Sequence, residues 1–205
     1  MLFRSLGERS HLASKDIDLD THIADVLGVL KYENLRNVIL IGHSYGGMVA
    51  TGVADRASER IAHLVYIDAF APRDGQSLLD LQNDETRVRV REGAKNEGEG
   101  WKIPQNPVPP DTSELDVAWI MERRVMQPLQ TFEQKIKLTG AVEKLPRTYI
   151  YCTISRPGDV FRQFRDRASA EKGWKCIDID ASHSPHVTAP EALTEILDGI
   201  ATARG

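Results

Sequence analysis

The feature that most restricts the fold is the stretch at residues 38–57. The β-branched run Val38 to Ile41 predicts a short strand of the fully buried kind, and a glycine-rich turn follows it directly. The segment Tyr45 to Ala57 is rich in glycine and alanine, whose small side chains let a helix pack tightly on a sheet. A buried strand that leads at once into such a helix is typical of a parallel sheet covered by helices.

The rest of the chain continues this alternation of strands and helices. The further predicted strands are His63 to Phe70, Thr148 to Ile154 and Lys175 to Ala181. The predicted helices outside residues 38–57 are Asp20 to Leu30, Val160 to Lys172 and the C-terminal segment from Thr188. The sequence therefore predicts an α/β protein with a parallel sheet and flanking helices.

Residues 72–146 break the alternation. They contain a glycine-rich stretch, a proline-rich stretch and a predicted helix from Glu114 to Met126. A segment of this length is too long for a simple crossover between strands. We expect residues 1–71 and 147–205 to form the core and residues 72–146 to form an inserted lid.

Composition excludes several classes of protein. The chain has 205 residues and a net charge of -4, which gives no electrostatic case for binding nucleic acid or an anionic membrane. No apolar run approaches the roughly 18 residues of a membrane span. The two cysteines, Cys152 and Cys176, are expected to be free thiols in a reducing cytoplasm.

A candidate nucleophile, Ser44, lies in the turn after the first strand. The segment Gly42 to Gly46 matches the pattern G-x-S-x-G, which is informative when a strand precedes it and a helix follows it, as here. Such a turn needs a strained conformation at the serine, and glycines two residues to either side, Gly42 and Gly46, let the neighbouring backbone pass closely. The hydroxyl then lies at a helix N-terminus, where the dipole favours a developing negative charge.

A serine hydroxyl needs a base, and an imidazole base needs an acid to hold its tautomer. In this architecture the expected order is Ser, acid, His, each just past the end of a strand. Asp159 and His183 follow the third and fourth predicted strands, so Ser44, Asp159 and His183 are the predicted catalytic residues. Two alternatives remain open: Asp68 as the acid and His186 as the base. Asp159 is also placed to cap the helix predicted from Val160.

Other residues near the motif receive weaker predictions. We expect the side chain of His43 to point away from its neighbour Ser44. Trp119 and Met126 in the predicted lid are candidates for binding substrate, although an apolar stripe is at least as often plain packing. His11, His22 and His63 lie in helical or strand surroundings and are interpreted as structural.

With these residues in place, the chain resembles the α/β-hydrolase fold, and within it the hydroxynitrile lyase and plant methylesterase branch with its bacterial esterase relatives. The segments that carry the resemblance are LGERSHL (6–12), GHSYGGMV (42–49), VYIDAFAP (65–72), LPRTYIYC (145–152) and SHSPHVTAPEAL (182–193). The resemblance implies an esterase with a helical lid, a small-molecule ester as substrate, and neither metal nor organic cofactor. Dimers are common among such relatives, so a homodimer is one expected state.

Two departures from the family pattern affect these expectations. Lyases of the branch carry a lysine directly after the catalytic histidine, whereas Ser184 follows His183 here, which favours hydrolysis over cyanohydrin cleavage. Family members also begin with a strand and a His-Gly loop that gives the second oxyanion donor, the first being the amide of Tyr45. This chain starts almost at the LGERSHL segment, so we expect a fragment that lacks roughly one βαβ unit, about forty residues.

The resulting expectation is a serine hydrolase that cleaves small carboxylic esters through an acyl-enzyme on Ser44. The alternatives are a small-molecule binding protein on the same fold that does not turn over its ligand, and a hydroxynitrile lyase. The identity of the ester does not follow from the sequence.

Overall fold

The computed structural model describes residues 3–154 and 158–203. Its strands are β1 (Val38–His43), β2 (Ile61–Ile67), β3 (Lys102–Ile103), β4 (Gln127–Pro128), β5 (Arg147–Cys152) and β6 (Trp174–Ile179). Its α-helices are α1 (Leu19–Tyr32), α2 (Gly46–Arg56), α3 (Asp84–Asn96), α4 (Glu114–Arg123), α5 (Gln130–Glu133), α6 (Arg162–Ala170), α7 (Pro185–Thr188) and α8 (Pro190–Thr202). Short 3-10 turns lie at Gly7–Leu12, Ser58–Arg60, Leu79–Leu81 and Ala141–Lys144.

Over the described ranges the main sheet has four strands in the order β1-β2-β5-β6, and every neighbouring pair is parallel. The four strands predicted from the sequence are the four strands of this sheet. The prediction of an α/β fold with a parallel sheet flanked by helices is therefore confirmed. Because the strands are parallel, the loops that follow them meet at one edge of the sheet.

Side chains alternate between two packed layers on opposite faces of the sheet. Leu64 and Tyr66 of β2 belong to the larger apolar cluster with residues of α1, α2 and α6. Val65 and Ile67 belong to the smaller cluster, which α8 covers with its apolar side chains. This period of two, with apolar residues on both faces, is what a strand buried between two helical layers requires.

The sequence predicts that β1 is fully buried, and the structure shows that it is not. Within the described residues β1 pairs with β2 alone, so it forms an edge of the sheet. Ile41 on this strand is 42% exposed, whereas the central strand β5 has Tyr149 and Ile150 fully buried. The β-branched run shows that the segment is a strand, but burial depends on which strands lie beside it.

Residues 72–146 hold the two-stranded antiparallel ribbon β3–β4 and the helices α3, α4 and α5. Part of this segment belongs to the main core, because Leu78, Leu79 and Ile136 are buried in the larger apolar cluster. The helix α4 begins at its cap Ser113, whose hydroxyl accepts a hydrogen bond from the Asp116 amide. No residue of α4 is buried, so this helix lies on the surface.

The helices of the described ranges are all too short or too polar to cross a membrane. Both cysteines are free: Cys152 is buried on β5, and Cys176 is half-buried on β6.

Candidate active site

Three polar side chains meet at the edge of the sheet where the parallel strands end. Ser44 follows β1, Asp68 follows β2, and His183 lies in the loop after β6. The Oγ atom of Ser44 is 3.0 Å from Nε2 of His183. On the other side of the ring, Nδ1 of His183 is 2.7 Å from Oδ2 of Asp68. The three groups thus form a continuous chain of hydrogen bonds from hydroxyl to carboxylate.

The turn at Ser44 is strained and is fixed by the neighbouring strand. Ser44 has a φ of 53°, in the left-handed region that a residue with a Cβ enters only at a cost of about 1–3 kcal/mol. Its amide donates to the Ile67 carbonyl at 3.3 Å, and its own carbonyl accepts from the Phe70 amide at 3.1 Å. These bonds hold the serine against the end of β2, where its hydroxyl points at the imidazole.

Asp68 is also strained and is fully buried. Its φ of 41° lies in the left-handed region, which aspartate tolerates better than most residues. Its side chain is fully buried, and its amide donates to the Ile150 carbonyl at 2.7 Å. A buried carboxylate needs a partner of this kind, and the Nδ1–H group of His183 supplies it. Two non-glycine residues with positive φ therefore lie at the ends of adjacent strands, at the same site.

The acid beside His183 is Asp68 and not Asp159, which corrects the first choice made from the sequence. Oδ2 of Asp159 accepts a hydrogen bond from the Tyr151 hydroxyl at 2.6 Å, and Oδ1 accepts one from the Phe161 amide at 2.9 Å. Burial, together with Asp159, raises the pKa of Tyr151 to about 12, so the phenol stays protonated and donates. Asp159 therefore closes the turn before α6, close to the structural role that the sequence left open for it.

The His183 ring lies between aromatic neighbours. Phe161, from the loop after β5, stacks on it with 5.0 Å between ring centroids and 19° between ring planes. On another side, the ring centroid of His43 is 4.7 Å away. The alternative base, His186, instead packs edge-on against His43 at 4.9 Å, and His186 makes no hydrogen bond to Ser44 among those of the described residues. His183 is therefore the imidazole placed to take the serine proton.

The Tyr45 amide is the first amide after the nucleophile and directly precedes α2. No hydrogen bond within residues 3–154 and 158–203 occupies this amide, so it can donate to a developing oxyanion. The Tyr45 side chain is buried, and its hydroxyl is 2.8 Å from Nδ1 of His22. Burial lowers the pKa of His22 to about 4, so this ring is neutral and accepts from the phenol.

Trp119 lies on α4 and lines a surface groove of about 330 Å³ together with Asp116, Ile120, His186 and Val187. Because His186 also contacts His43, the groove lies close to the candidate catalytic groups. Met126 is half-buried and is not among the residues described as lining it.

A larger depression of about 470 Å³ lies beside Asp159, and its described lining includes neither Ser44 nor His183. Within the described residues, no three His, Cys, Asp or Glu side chains form a group that could hold a metal ion.

The chain is similar to known proteins over most of its length. The model of the Alpha/beta hydrolase family matches residues 3–196 of the chain. A curated relative, the carbendazim hydrolyzing esterase of Nocardioides sp. (strain SG-4G), is 35% identical over 201 residues, which cover 94% of this chain and 83% of the relative.

Solved structures with less than 25% sequence identity show the same fold. An extracellular alpha/beta-hydrolase from a Paenibacillus species has a TM-score of 0.80 at 23% identity, covering 95% of this chain and 83% of its own. A methylesterase of Arabidopsis has a TM-score of 0.73 at 19% identity, covering 98% of this chain and 85% of its own. The predicted resemblance is thus confirmed at the level of the family, and the predicted enzyme class, a hydrolase with esterase relatives, agrees with it. The chain belongs to the alpha/beta hydrolase family.

Proposed function

We propose that this hydrolase cleaves small carboxylic esters through an acyl-enzyme on Ser44, with His183 as general base and Asp68 as the acid that orients it. The observation that carries the proposal is the unbroken path from the Ser44 hydroxyl to the buried carboxylate, 3.0 Å and then 2.7 Å. Both distances lie within hydrogen-bond reach, which is the geometry that nucleophilic catalysis by serine requires.

In the first half of the reaction, Nε2 of His183 takes the Ser44 proton as Oγ bonds to the ester carbonyl carbon. The negative charge that develops on the carbonyl oxygen is stabilised by the Tyr45 amide. Asp68 accepts the Nδ1–H group and stabilises the imidazolium that forms. When the tetrahedral intermediate collapses, His183 returns the proton from Nε2 to the departing alcohol, which leaves an acyl group on Ser44.

In the second half, His183 takes a proton from water as the water oxygen attacks the acyl carbon. Collapse of the second intermediate releases the carboxylic acid, and His183 returns the proton to the Ser44 oxygen. Every proton in this scheme passes through Nε2 of His183. In the first half it moves from Ser44 Oγ to Nε2 and then to the alcohol, and in the second from water to Nε2 and then back to Ser44 Oγ. The proton transfers therefore need only Ser44, His183, the substrate and water.

The proposal is tested by covalent labelling with a fluorophosphonate, which reacts with an activated serine. We expect one adduct per chain, at Ser44 by peptide mass mapping, and no adduct on Ser44→Ala. Ser184→Ala is the matched control, because Ser184 lies next to His183 and its hydroxyl makes no hydrogen bond among the described residues. The proposal fails if the unchanged chain is not labelled, or if Ser44→Ala is labelled equally. A ligand bound tightly by the unlabelled chain would then favour the non-catalytic binding protein.

The substrate side chain is proposed to lie in the groove under α4, against Trp119, with Met126 at its margin. Residues 72–146 would then act as a lid over the edge of the sheet. In support, Trp119 is 61% exposed although its indole is large and apolar, and it faces a groove that His186 also lines. The first esters to assay are small methyl esters and carbendazim, since the curated relative is named for hydrolysing the latter.

Replacing Trp119 with alanine is expected to raise KM about tenfold, which corresponds to about 1.4 kcal/mol of lost binding, with a smaller change in kcat. Leu115→Ala is the matched control: Leu115 lies one turn earlier on α4, is 85% exposed and does not line the groove. The KM and kcat of both variants are measured by steady-state kinetics with a small methyl ester and with carbendazim. Equal KM values for the two variants would remove Trp119 from the substrate site.

A further inference from the structure

His43 and the carbonyl of the general base form a short contact between two segments 140 residues apart. The Nε2–H group of His43 donates to the main-chain carbonyl oxygen of His183 at 2.6 Å. The sequence predicts only that the His43 side chain points away from Ser44, and the structure shows that it reaches the backbone of His183. The contact uses the backbone of His183, so it remains available while the His183 ring exchanges its proton with Ser44.

The two partners in this contact differ in how firmly the fold holds them. His43 is the last residue of β1 and is paired in register with Ile67 of β2. His183 lies in the irregular loop between β6 and α7, and no backbone amide of the described residues bonds to its carbonyl. The sheet therefore fixes His43, whereas the bond that the His183 carbonyl accepts comes from a side chain.

We propose that His43 is a positioning residue that sets the distance between Ser44 and His183. Ser44 is the next residue along the chain, so nucleophile and base are anchored to the same dipeptide. The contacts close a ring: Ser44 Oγ to His183 Nε2 at 3.0 Å, the His183 carbonyl to His43 Nε2 at 2.6 Å, and the peptide bond from His43 back to Ser44. The bond from Asp68 to Nδ1 fixes the rotation of the His183 ring, while His43 fixes the backbone that carries it.

The charge state of His43 suits this role. Burial, together with the neighbouring His183 and His186, lowers its pKa to about 3, against the opposing effects of the bond to the His183 carbonyl and of Asp68. At neutral pH the ring is therefore uncharged and carries its proton on Nε2, where it donates. A neutral ring 4.7 Å from His183 does not oppose the positive charge that His183 gains when it takes the serine proton.

The inference rests on the proposed hydrolysis and is tested on the whole chain with p-nitrophenyl acetate. His43→Phe keeps a flat ring but removes the donor, and we expect kcat to fall about 10- to 100-fold, as for a misplacement of roughly 1 Å. KM should change less than about threefold, because uniform substrate binding is not affected. His43→Gln places an amide N–H close to the position of Nε2 and should restore kcat to within about threefold.

Two comparisons separate positioning from a general structural effect. His63→Phe is the matched control: Nε2 of His63 is 2.8 Å from the Thr148 hydroxyl, away from the site, so its loss should lower the unfolding temperature and leave kcat unchanged. If His43→Phe does not fold, His43→Gln is compared with His43→Asn, whose amide is one carbon shorter and falls short of the carbonyl. Equal kcat in these two variants, or an unchanged kcat in folded His43→Phe, overturns the inference.

The pH profile tests whether His43 itself carries the proton. With a pKa of about 3, His43 does not change charge above about pH 4.5. The kcat profile of His43→Gln should therefore have the same shape as that of the unchanged protein above this pH. A displaced acidic limb would mean that His43 exchanges protons during turnover and does not merely position His183.

Hydrogen exchange gives a readout that does not require turnover. In His43→Phe the amides of residues 180–184 should exchange faster, while those of β5 stay protected, and His43→Gln should restore the original rates. Unchanged exchange in the loop contradicts the positioning role even if no ester is hydrolysed. Faster loop exchange in a chain that fluorophosphonate does not label would instead support His43 and refute the proposed function.

Discussion

We expect Asp68→Asn to turn over esters about 10³–10⁴-fold more slowly than the unchanged protein, which is the size of effect seen when a triad carboxylate becomes an amide. In the present geometry Asp68 accepts the Nδ1–H group of His183 and leaves Nε2 free to take the Ser44 proton. An asparagine can present its NH₂ group to Nδ1 instead. The imidazole then carries its proton on Nε2, where it cannot accept another from the serine.

The matched variant is Asp159→Asn, which we expect to keep kcat within about fivefold, since the asparagine oxygen can still accept a hydrogen bond from one of the two neutral donors that the carboxylate binds. Those bonds come from the Tyr151 hydroxyl and the Phe161 amide. Both variants are compared by steady-state kinetics after circular dichroism has shown that each is folded. A greater loss in Asp159→Asn than in Asp68→Asn would mean that Asp159 is the working acid and that the pairing seen here is not used.

The sequence alone does not determine which of these two acids bonds to His183. Asp159 follows one predicted strand, Asp68 lies near the C-terminal end of another, and both satisfy the order Ser, acid, His, so the motif order cannot separate them. Which of the two carboxylates bonds to the imidazole depends on which loop brings its aspartate close to His183. Here the loop after β5 presents the Phe161 ring to His183 and turns the Asp159 carboxylate towards Tyr151. Such a choice is made by tertiary packing and is not visible in local sequence.

Other features of the fold and of the candidate site can be predicted from the sequence. Ser44 and His183 could be chosen because each follows an apolar run, and parallel strands bring such positions to one edge. The predicted strand boundaries differ from the observed ones by up to three residues, as for the strand predicted at His63 to Phe70, which is β2 at Ile61–Ile67. The contact of His43 with the His183 carbonyl could not be predicted from the sequence, because this contact joins the end of a strand to a loop whose path the sequence does not specify.

Close backbone approach around Ser44 occurs as the sequence predicts, but a side chain would be crowded at Gly42 and Gly47 and not at Gly46. The sequence argument assigned close backbone approach to Gly42 and Gly46. A Cβ at Gly42 would indeed lie 2.7 Å from the Gly46 carbonyl oxygen, but a Cβ at Gly46 would meet nothing within 4 Å. Of the glycines around Ser44, the tightest position is Gly47, where a Cβ would overlap the Phe70 carbonyl oxygen. Helix α2 therefore packs against the loop after β2 through Gly47.

Gly47→Ala is accordingly expected to lower the free energy of unfolding by about 3 kcal/mol or more, at the upper end of the cost of overpacking. The clash is with backbone, which cannot rotate away, and relief requires the loop at residues 68–70 to shift. That loop carries Asp68, and its Phe70 amide bonds to the Ser44 carbonyl. A shift of roughly 1 Å there should lower kcat by about 100-fold in whatever fraction folds.

Gly46→Ala is the matched control for stability, because it adds the same methyl group one residue earlier, into open space. An alanine in a helix is favoured over glycine by up to about 1 kcal/mol, so this variant should be as stable as the unchanged protein or slightly more so. Urea unfolding followed by circular dichroism measures both. If Gly47→Ala is as stable as Gly46→Ala, the contact between α2 and the Phe70 carbonyl is looser than the structure has it. The packing of Gly47 against the loop after β2 would then not explain why Asp68 lies beside His183.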